Sequence, residues 1–267
     1  MTRRRFYAPP LAFAPDGAGV QLSSEESQHL RDVLRLRAGD EAFVFDGEGR
    51  EFACVVVETG GGGGRGSTAR LEVRGRAEPP SPESPLRLSL GVALLKGEKF
   101  DLVVQKATEL GASRIVPVVS RRADVRLRDE RDAGGRVERW RRLALEASKQ
   151  SGRARVPPVE TPAVFGTFVA DGADADEARL MFAERGAGAS VEFGRVGLSE
   201  FASGVEGARP ASITALVGPE GGWEEEEVML AAARGWTIIT LGGRTLRAET
   251  AAITVTALLQ YLFGDMR

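Results

Sequence analysis

Two short units near the carboxyl end of this chain repeat one plan: an apolar strand, a glycine loop, a helix. In the first, Ile213 to Val217 is an apolar run with β-branched members, which suits a strand buried on both faces. Gly218 and Pro219 break that run and Gly221-Gly222 follow. Glu224 to Glu227 then open a helix, because carboxylates in a first turn meet the positive end of the helix dipole. In the second unit Thr237 to Leu241 is the strand, Gly242-Gly243 turn the chain, and Thr250 to Phe263 is an apolar helix. This plan predicts two loops side by side at the carboxyl ends of parallel strands, where open α/β sheets bind ligands.

The residues upstream extend the same pattern. Leu86 to Leu95 reads as a buried strand, and Phe100, Val103, Val104, Ala107 and Leu110 recur at helical spacing before Gly111 stops the helix. Ile115 to Val119 is the next strand, with Ser120, Arg121 and Arg122 at its end. Strand, helix and strand imply a parallel pair and an α/β class. A further helix has Val137, Trp140, Leu143, Ala144 and Ala147 as its core stripe and arginines at 136, 139, 141 and 142 on its other positions. Leu180 to Ala183 is a short strand carrying Glu184 and Arg185, and Gly194 to Gly207 is weakly patterned. Lys96-Gly97-Glu98-Lys99 lacks the spacing of a phosphate loop.

Residues 1–77 read as a small β-rich domain. Arg3-Arg4-Arg5-Phe6-Tyr7 mixes cations with aromatic rings, which suits phosphates and base stacking; a frayed basic terminus is the plain alternative. Ser24 to Leu36 reads as a helix capped by Ser24, with Leu30, Val33 and Leu34 as its apolar face and His29 near its start. Arg31, Arg35 and Arg37 then face RNA or water. Glu41 to Phe45 and Glu51 to Glu58 form a hairpin, Gly60 to Gly66 is a loop insertion, and Thr68 to Val73 is the last strand. Residues 78–85 hold four prolines in Glu78-Pro79-Pro80-Ser81-Pro82-Glu83-Ser84-Pro85, a semi-rigid linker. The second domain is expected over residues 86–267.

Charge sharpens the reading. The chain of 267 residues has a net charge of -2, so no global field draws it to polyanions. Residues 96–155, however, hold 16 Lys or Arg against 9 Asp or Glu, and residues 156–227 hold 4 against 14. Such asymmetry permits local polyanion binding, with a solvated helical surface as the bland alternative. One cysteine, Cys54, excludes an internal disulfide, and with one histidine it builds no zinc cluster, so no metal is expected. Met1-Thr2-Arg3 leads into no apolar segment, and no apolar run approaches about 18 residues. The expectation is a soluble, cytoplasmic protein outside any membrane.

The ordered set of motifs resembles the small-subunit (16S) ribosomal RNA uracil-N3 methyltransferases of the SPOUT superfamily. The set comprises Arg4-Arg5-Phe6, His29 with Val33-Leu34-Arg35-Leu36 and Gly39-Asp40, and Lys106-Ala107-Thr108-Glu109-Leu110-Gly111. It continues through Ile115, Pro117, Ser120 and Arg122, then Trp140, Glu146-Ala147 and Gln150-Ser151-Gly152-Arg153. Gly218-Pro219-Glu220-Gly221-Gly222 and Leu241 to Ala251 complete it, so the set spans almost the whole chain. The departures are the glycine run from Gly60 and the stretch Gly243-Arg244-Thr245, where Gly243 replaces a bulkier residue and Thr245 an aliphatic one.

The resemblance implies an N-terminal PUA-like β-barrel and a C-terminal SPOUT α/β domain with a parallel sheet and a deep trefoil knot. It also implies S-adenosylmethionine as donor, a homodimer, and 16S ribosomal RNA or the small ribosomal subunit as partner. Cofactor contacts are expected at Gly218, Pro219, Glu220, Gly221, Gly222, Leu241, Gly242, Leu246, Arg247, Thr250 and Ala251. RNA contacts are expected at Arg3, Arg4, Arg5, His29, Arg35, Arg122 and Arg153. Methylating N3 requires the imino proton to leave and the uracil anion to be stabilised. Arg122 and Arg247 are the candidate cations; Glu249 and Glu220 are possible proton acceptors, with helix capping and loop structure as their respective alternatives. A non-catalytic RNA-binding protein on the same scaffold is the rival, and it would bind no methyl donor. A phosphate-binding nucleotide enzyme is disfavoured, because neither loop has a P-loop lysine or the GxGxxG spacing.

Overall fold

The computed structural model describes residues 3–60, 68–123, 125, 127, 129–171, 176–184, 196–205 and 209–266. Most of the glycine run (61–66), Arg185 and positions 194, 195, 206 and 207 of the weakly patterned stretch lie outside them. The chain forms two compact units, Met1–Glu83 with Ser148–Val156, and Ser84–Ala147 with Pro157–Arg267. Among the described residues no helix is long and apolar enough to cross a membrane.

The first unit contains β1 (Arg5–Tyr7), β2 (Gly19–Gln21), α1 (Ser24–Gln28), β3 (Glu41–Phe45), β4 (Glu51–Glu58) and β5 (Arg70–Ala77). They make one mixed sheet in the order β1-β3-β4-β5-β2, with β1 parallel to β3 and the other pairs antiparallel. Its core gathers Phe6, Leu22, Leu30, Val44, Val56 and Leu71. Cys54 lies in this core, and desolvation pushes its thiol up to about 12, so it stays protonated.

Helix α1 differs from the expectation in two ways. Ser23, one residue earlier than Ser24, is the cap, its hydroxyl accepting from Glu26 N–H at 3.2 Å. The helix then widens into a π-turn over His29–Val33, with Leu34 N–H donating to the His29 carbonyl at 3.0 Å. The wider turn shifts the phase of the apolar stripe. Leu30 stays buried, Val33 is 68% exposed and Leu34 36%. Arg35, at φ +53°, reverses the chain so that Leu36 takes the second core place and its N–H returns to Leu30 O at 3.0 Å.

The segment Ser148–Val156 belongs to this unit, although its position in sequence falls after residue 86. Backbone bonds hold it: Gly49 N–H donates to Ala154 O (3.1 Å) and Val156 N–H to Gly47 O (2.9 Å). Buried ion pairs do the rest. Fully buried Glu51 takes Arg5 Nη2 at 2.7 Å, and the same guanidinium donates to the Lys149 and Arg153 carbonyls at 3.2 and 3.1 Å. Arg153 is itself buried against Glu83 at 2.6 Å, and Lys149 meets Glu26 at 2.7 Å.

The second unit carries β6 (Arg87–Ala93), α2 (Lys99–Glu109), β7 (Arg114–Val119), α3 (Glu130–Ser151) up to Ala147, β8 (Ala163–Val164) and α4 (Phe165–Ala170). It continues with β9 (Glu177–Phe182), β10 (Val196–Gly197), α5 (Leu198–Gly204), β11 (Ser212–Val217), α6 (Glu225–Ala233), β12 (Thr237–Thr240) and α7 (Ala248–Phe263). All seven strands run parallel, in the order β10-β12-β9-β11-β6-β7-β8. Leu88, Leu90, Ile115, Val118, Ile213 and Ala215 are all fully buried, which is what covered faces on both sides require. Gly111 ends α2 at φ +87°, and a side chain there would meet Gln260 of α7 at 2.8 Å. The buried Gln260 amide instead donates to the Gly111 carbonyl at 3.0 Å, tying α7 to the end of α2.

Replacing Glu51 with Ala strands the enclosed Arg5 guanidinium. Urea denaturation is expected to show a loss of about 3 kcal/mol, the scale for breaking one side of a buried pair.

Candidate functional site

The carboxyl ends of three neighbouring strands, β12, β9 and β11, open onto one cavity. Its empty space is about 740 Å³, open solvent at the mouth included, within the range of small-molecule sites. The wall from β11 is Val217, Gly218, Pro219, Gly222 and Trp223; the wall from β12 runs from Thr240 to Leu246 and on to Ala248 and Ala251. Phe182, Ala183 and Glu184, which continue β9, fill the gap between them. The two glycine loops thus share a cavity but do not follow adjacent strands, since β9 lies between β11 and β12.

Trp223 holds the first loop in place. It is buried, its indole N–H donates to the Phe182 carbonyl at 2.9 Å, and its ring packs against Phe165 with centroids 5.3 Å apart. Gly218 makes room for that indole: a Cβ there would stand 2.9 Å from Trp223 Nε1. Gly221 makes room for the chain after β7, where a Cβ would meet Arg122 Cβ at 3.2 Å and its carbonyl at 3.4 Å. Gly222 and Gly242 are needed for conformation, at φ +68° and +53°. The turn closes with Gly222 N–H donating to Pro219 O at 3.0 Å. The loop then enters α6 through a reciprocal capping box between Glu224 and Glu227.

Of the expected cofactor contacts, Gly218, Pro219, Gly222, Leu241, Gly242, Leu246 and Ala251 line the cavity. Glu220, Gly221, Arg247 and Thr250 do not. Glu220 is paired with Lys99 at 2.8 Å, and that carboxylate holds the Lys99 ammonium above its ordinary range. Gly221 lies against Arg122. Arg247 is the exposed N-cap of α7, its carbonyl accepting from Ala251 N–H at 2.8 Å, and Thr250 faces out.

Among the expected reacting groups, Arg122 is half exposed, donates to the Gly221 carbonyl at 3.3 Å, and lies 3.7 Å from Glu224. Glu249 is only 8% exposed, and its Oε2 has no hydrogen-bond partner among the described residues. The charges of Glu249 and Arg247 both act on Lys99, with that of Glu249 favouring the ammonium and that of Arg247 opposing it.

The expected RNA contacts divide. Arg4 and Arg35 are exposed. Arg3 spends one nitrogen on Glu78 O at 2.5 Å and Glu51 at 3.3 Å, and its guanidinium covers the Phe43 ring at 4.6 Å. His29 is half-buried, edge-on to Phe6 at 5.9 Å. Arg5 and Arg153 are corrections: both are enclosed in ion pairs and serve as struts of the first unit. A cation beside a buried carboxylate gains more there than it would in water.

The lining residues absent from the expected contacts are Phe182 to Glu184, Val217, Trp223, Thr240, Gly243 to Thr245 and Ala248. Trp223 sits inside the first motif, so its signal was present. The β9 contribution had none, because only strand order puts that end between the loops.

The second unit holds a parallel sheet with a cavity over the carboxyl ends of β11, β9 and β12, the first a small β-rich sheet, and the family matches put a chain of this kind in the class of RNA methyltransferases. The sequence matches the model of an RNA methyltransferase domain over residues 82–260 and that of an RNA methyltransferase PUA domain over residues 22–63. A Synechocystis protein, ribosomal RNA small subunit methyltransferase E, is 32% identical over 92% of this chain and 74% of its own length. The ribosomal RNA small subunit methyltransferase E of Neisseria gonorrhoeae, solved bound to S-adenosyl methionine, superposes with a TM-score of 0.81 at 30% identity over the whole of both chains. A putative methyltransferase of Legionella pneumophila, solved with the cofactor SAM, gives 0.80 at 28% over 99% of this chain and all of its own. The chain belongs to the ribosomal RNA small subunit methyltransferase E family.

Gly218→Ala pushes a methyl group into the Trp223 indole. Thermal unfolding is expected to show a loss of about 2 kcal/mol from overpacking, with the Trp223–Phe182 bond weakened.

Proposed function

We propose that this protein transfers a methyl group from S-adenosylmethionine to N3 of a uridine in 16S ribosomal RNA. The observation that carries the reading is the cavity built from two glycine loops and the end of β9. Its walls suit a nucleoside: Leu241 and Leu246 offer apolar surface, Ala248 and Ala251 leave space, and the loop backbones offer hydrogen-bonding groups. Similar proteins of this size, two of them solved with this donor, support it.

The donor supplies a methyl group already activated on a sulfonium, so the protein's work is alignment and charge. In this reading the first unit docks RNA and the second carries the chemistry. Arg247 and Arg122 stabilise the uracil anion through its carbonyl oxygens. Glu249, with an unengaged carboxylate oxygen, takes the imino proton from N3. The other candidate acceptor, Glu220, already has its oxygen on Lys99. The reading also includes a knotted carboxyl-terminal segment, a homodimer and a cytoplasmic location. Exposed Tyr261 in the last turn of α7 and Met266 beyond it support self-association.

Incubation with 16S RNA or small subunits and labelled donor, followed by mass mapping, is expected to find one N3-methylated uridine. No donor binding in a calorimetric titration would instead favour a purely RNA-binding role. Arg247→Ala is expected to lower turnover about 100-fold with the melting temperature preserved, since the residue is an exposed cap. RNA affinity is expected to fall by roughly tenfold or more between 50 and 200 mM salt if several arginines meet phosphates, read from filter-binding titrations.

A further inference from the structure

The loop after β7 is fastened to the first glycine loop in two ways. The conspicuous one is electrostatic: the Arg121 side chain reaches Glu224 at 3.0 Å and also pairs with Glu226. Arg121 and Glu226 are largely in water, where such pairs contribute little. The other is hidden. Glu227 is 4% exposed, and each of its oxygens accepts one backbone N–H. Oε1 takes the Arg121 amide at 3.0 Å, and Oε2 takes the Glu224 amide at 3.0 Å. One enclosed carboxylate therefore spans from the end of β7 to the end of the glycine loop. An ionised carboxylate suits this place because both partners are donors and it carries acceptors only.

The span has a consequence for Arg122, the next residue. Its Cβ and carbonyl press against Gly221, and its guanidinium donates to the Gly221 carbonyl at 3.3 Å. Its backbone is thus set on one side by Gly221 and on the other by the Arg121 amide that Glu227 grips. We infer that Glu227 is the positioning residue for Arg122: its buried carboxylate, rather than the visible Arg121 ion pairs, fixes where that guanidinium is presented to the substrate base. The inference rests on the reading that Arg122 faces the base. Glu227 itself is absent from the cavity wall and touches no substrate.

Glu227→Gln keeps the size of the side chain but supplies one acceptor where two are needed, and sets an NH2 against an amide. Turnover at saturating donor and RNA is expected to fall about tenfold, the scale of a small misplacement of a positioned group. The KM for S-adenosylmethionine is expected to stay within about twofold, because the lining residues are untouched. Glu226→Gln, which loosens only the exposed pair, is expected to leave turnover within about twofold. The deciding comparison is the double variant. If Glu227 acts through Arg122, Arg122→Ala with Glu227→Gln is no slower than Arg122→Ala alone. Losses that multiply, or a normal rate for Glu227→Gln beside a slow Arg122→Ala, overturn the inference. A normal rate for Arg122→Ala removes the reading beneath it. Hydrogen exchange on the unaltered protein gives a check independent of turnover and of how the variants fold. The Arg121 amide is expected to be strongly protected, and exchange at the rate of an open peptide overturns the inference as well.

Discussion

The bond from the Trp223 indole to the Phe182 carbonyl is the constraint on which the candidate site depends. It joins a side chain of the first glycine loop to the end of β9, the strand between β11 and β12. A buried indole N–H needs an acceptor, and this one finds it on the neighbouring strand. The cost of leaving the pair unmade keeps the loop folded back over the sheet. Gly218 follows from this placement, since a side chain there would occupy the space of the indole. The first glycine of the motif thus serves the tryptophan of the same motif, and the open cavity beside them is the result.

Arginines in this protein do two different kinds of work, and type alone does not separate them. Arg5, on buried Glu51, and Arg153, itself buried against Glu83, bind Ser148–Val156 into the first unit. Arg4, Arg35 and Arg247 remain at the surface. The first kind is costly to desolvate and is held by complete pairing. The second keeps its charge available to a polyanion. A run such as Arg3-Arg4-Arg5 looks uniform in sequence, yet Arg3 and Arg5 both reach Glu51 while Arg4 between them is exposed.

The glycines of the two loops also differ in their reasons. Gly222 and Gly242 answer a backbone demand, with positive φ. Gly218 and Gly221 answer a packing demand, from Trp223 and Arg122. All four read alike in the sequence as places where a ligand can come close. Of these four, Gly218, Gly222 and Gly242 border the cavity, and Gly221 serves the loop that carries Arg122.

Much of the fold was legible because its signals are local. Continuous apolar runs gave β6, β7 and β11, helical periodicity gave α2 and α3, and acidic first turns marked the start of α6. Short elements such as β8, β10 and α4 escaped, because two to six residues carry no usable period. The π-turn escaped too, since a stripe of Leu30, Val33 and Leu34 fits an ordinary helix equally well. By itself the sequence determined the types of the longer elements, the parallel pairing of their strands and the two loops that border the cavity, all encoded in local patterns. Only the tertiary structure decided that β9 separates those loops, that Ser148–Val156 returns to the first unit, and which charges are enclosed. These depend on partners far apart in the chain, and hydrogen bonding and burial choose among them only when the whole is assembled.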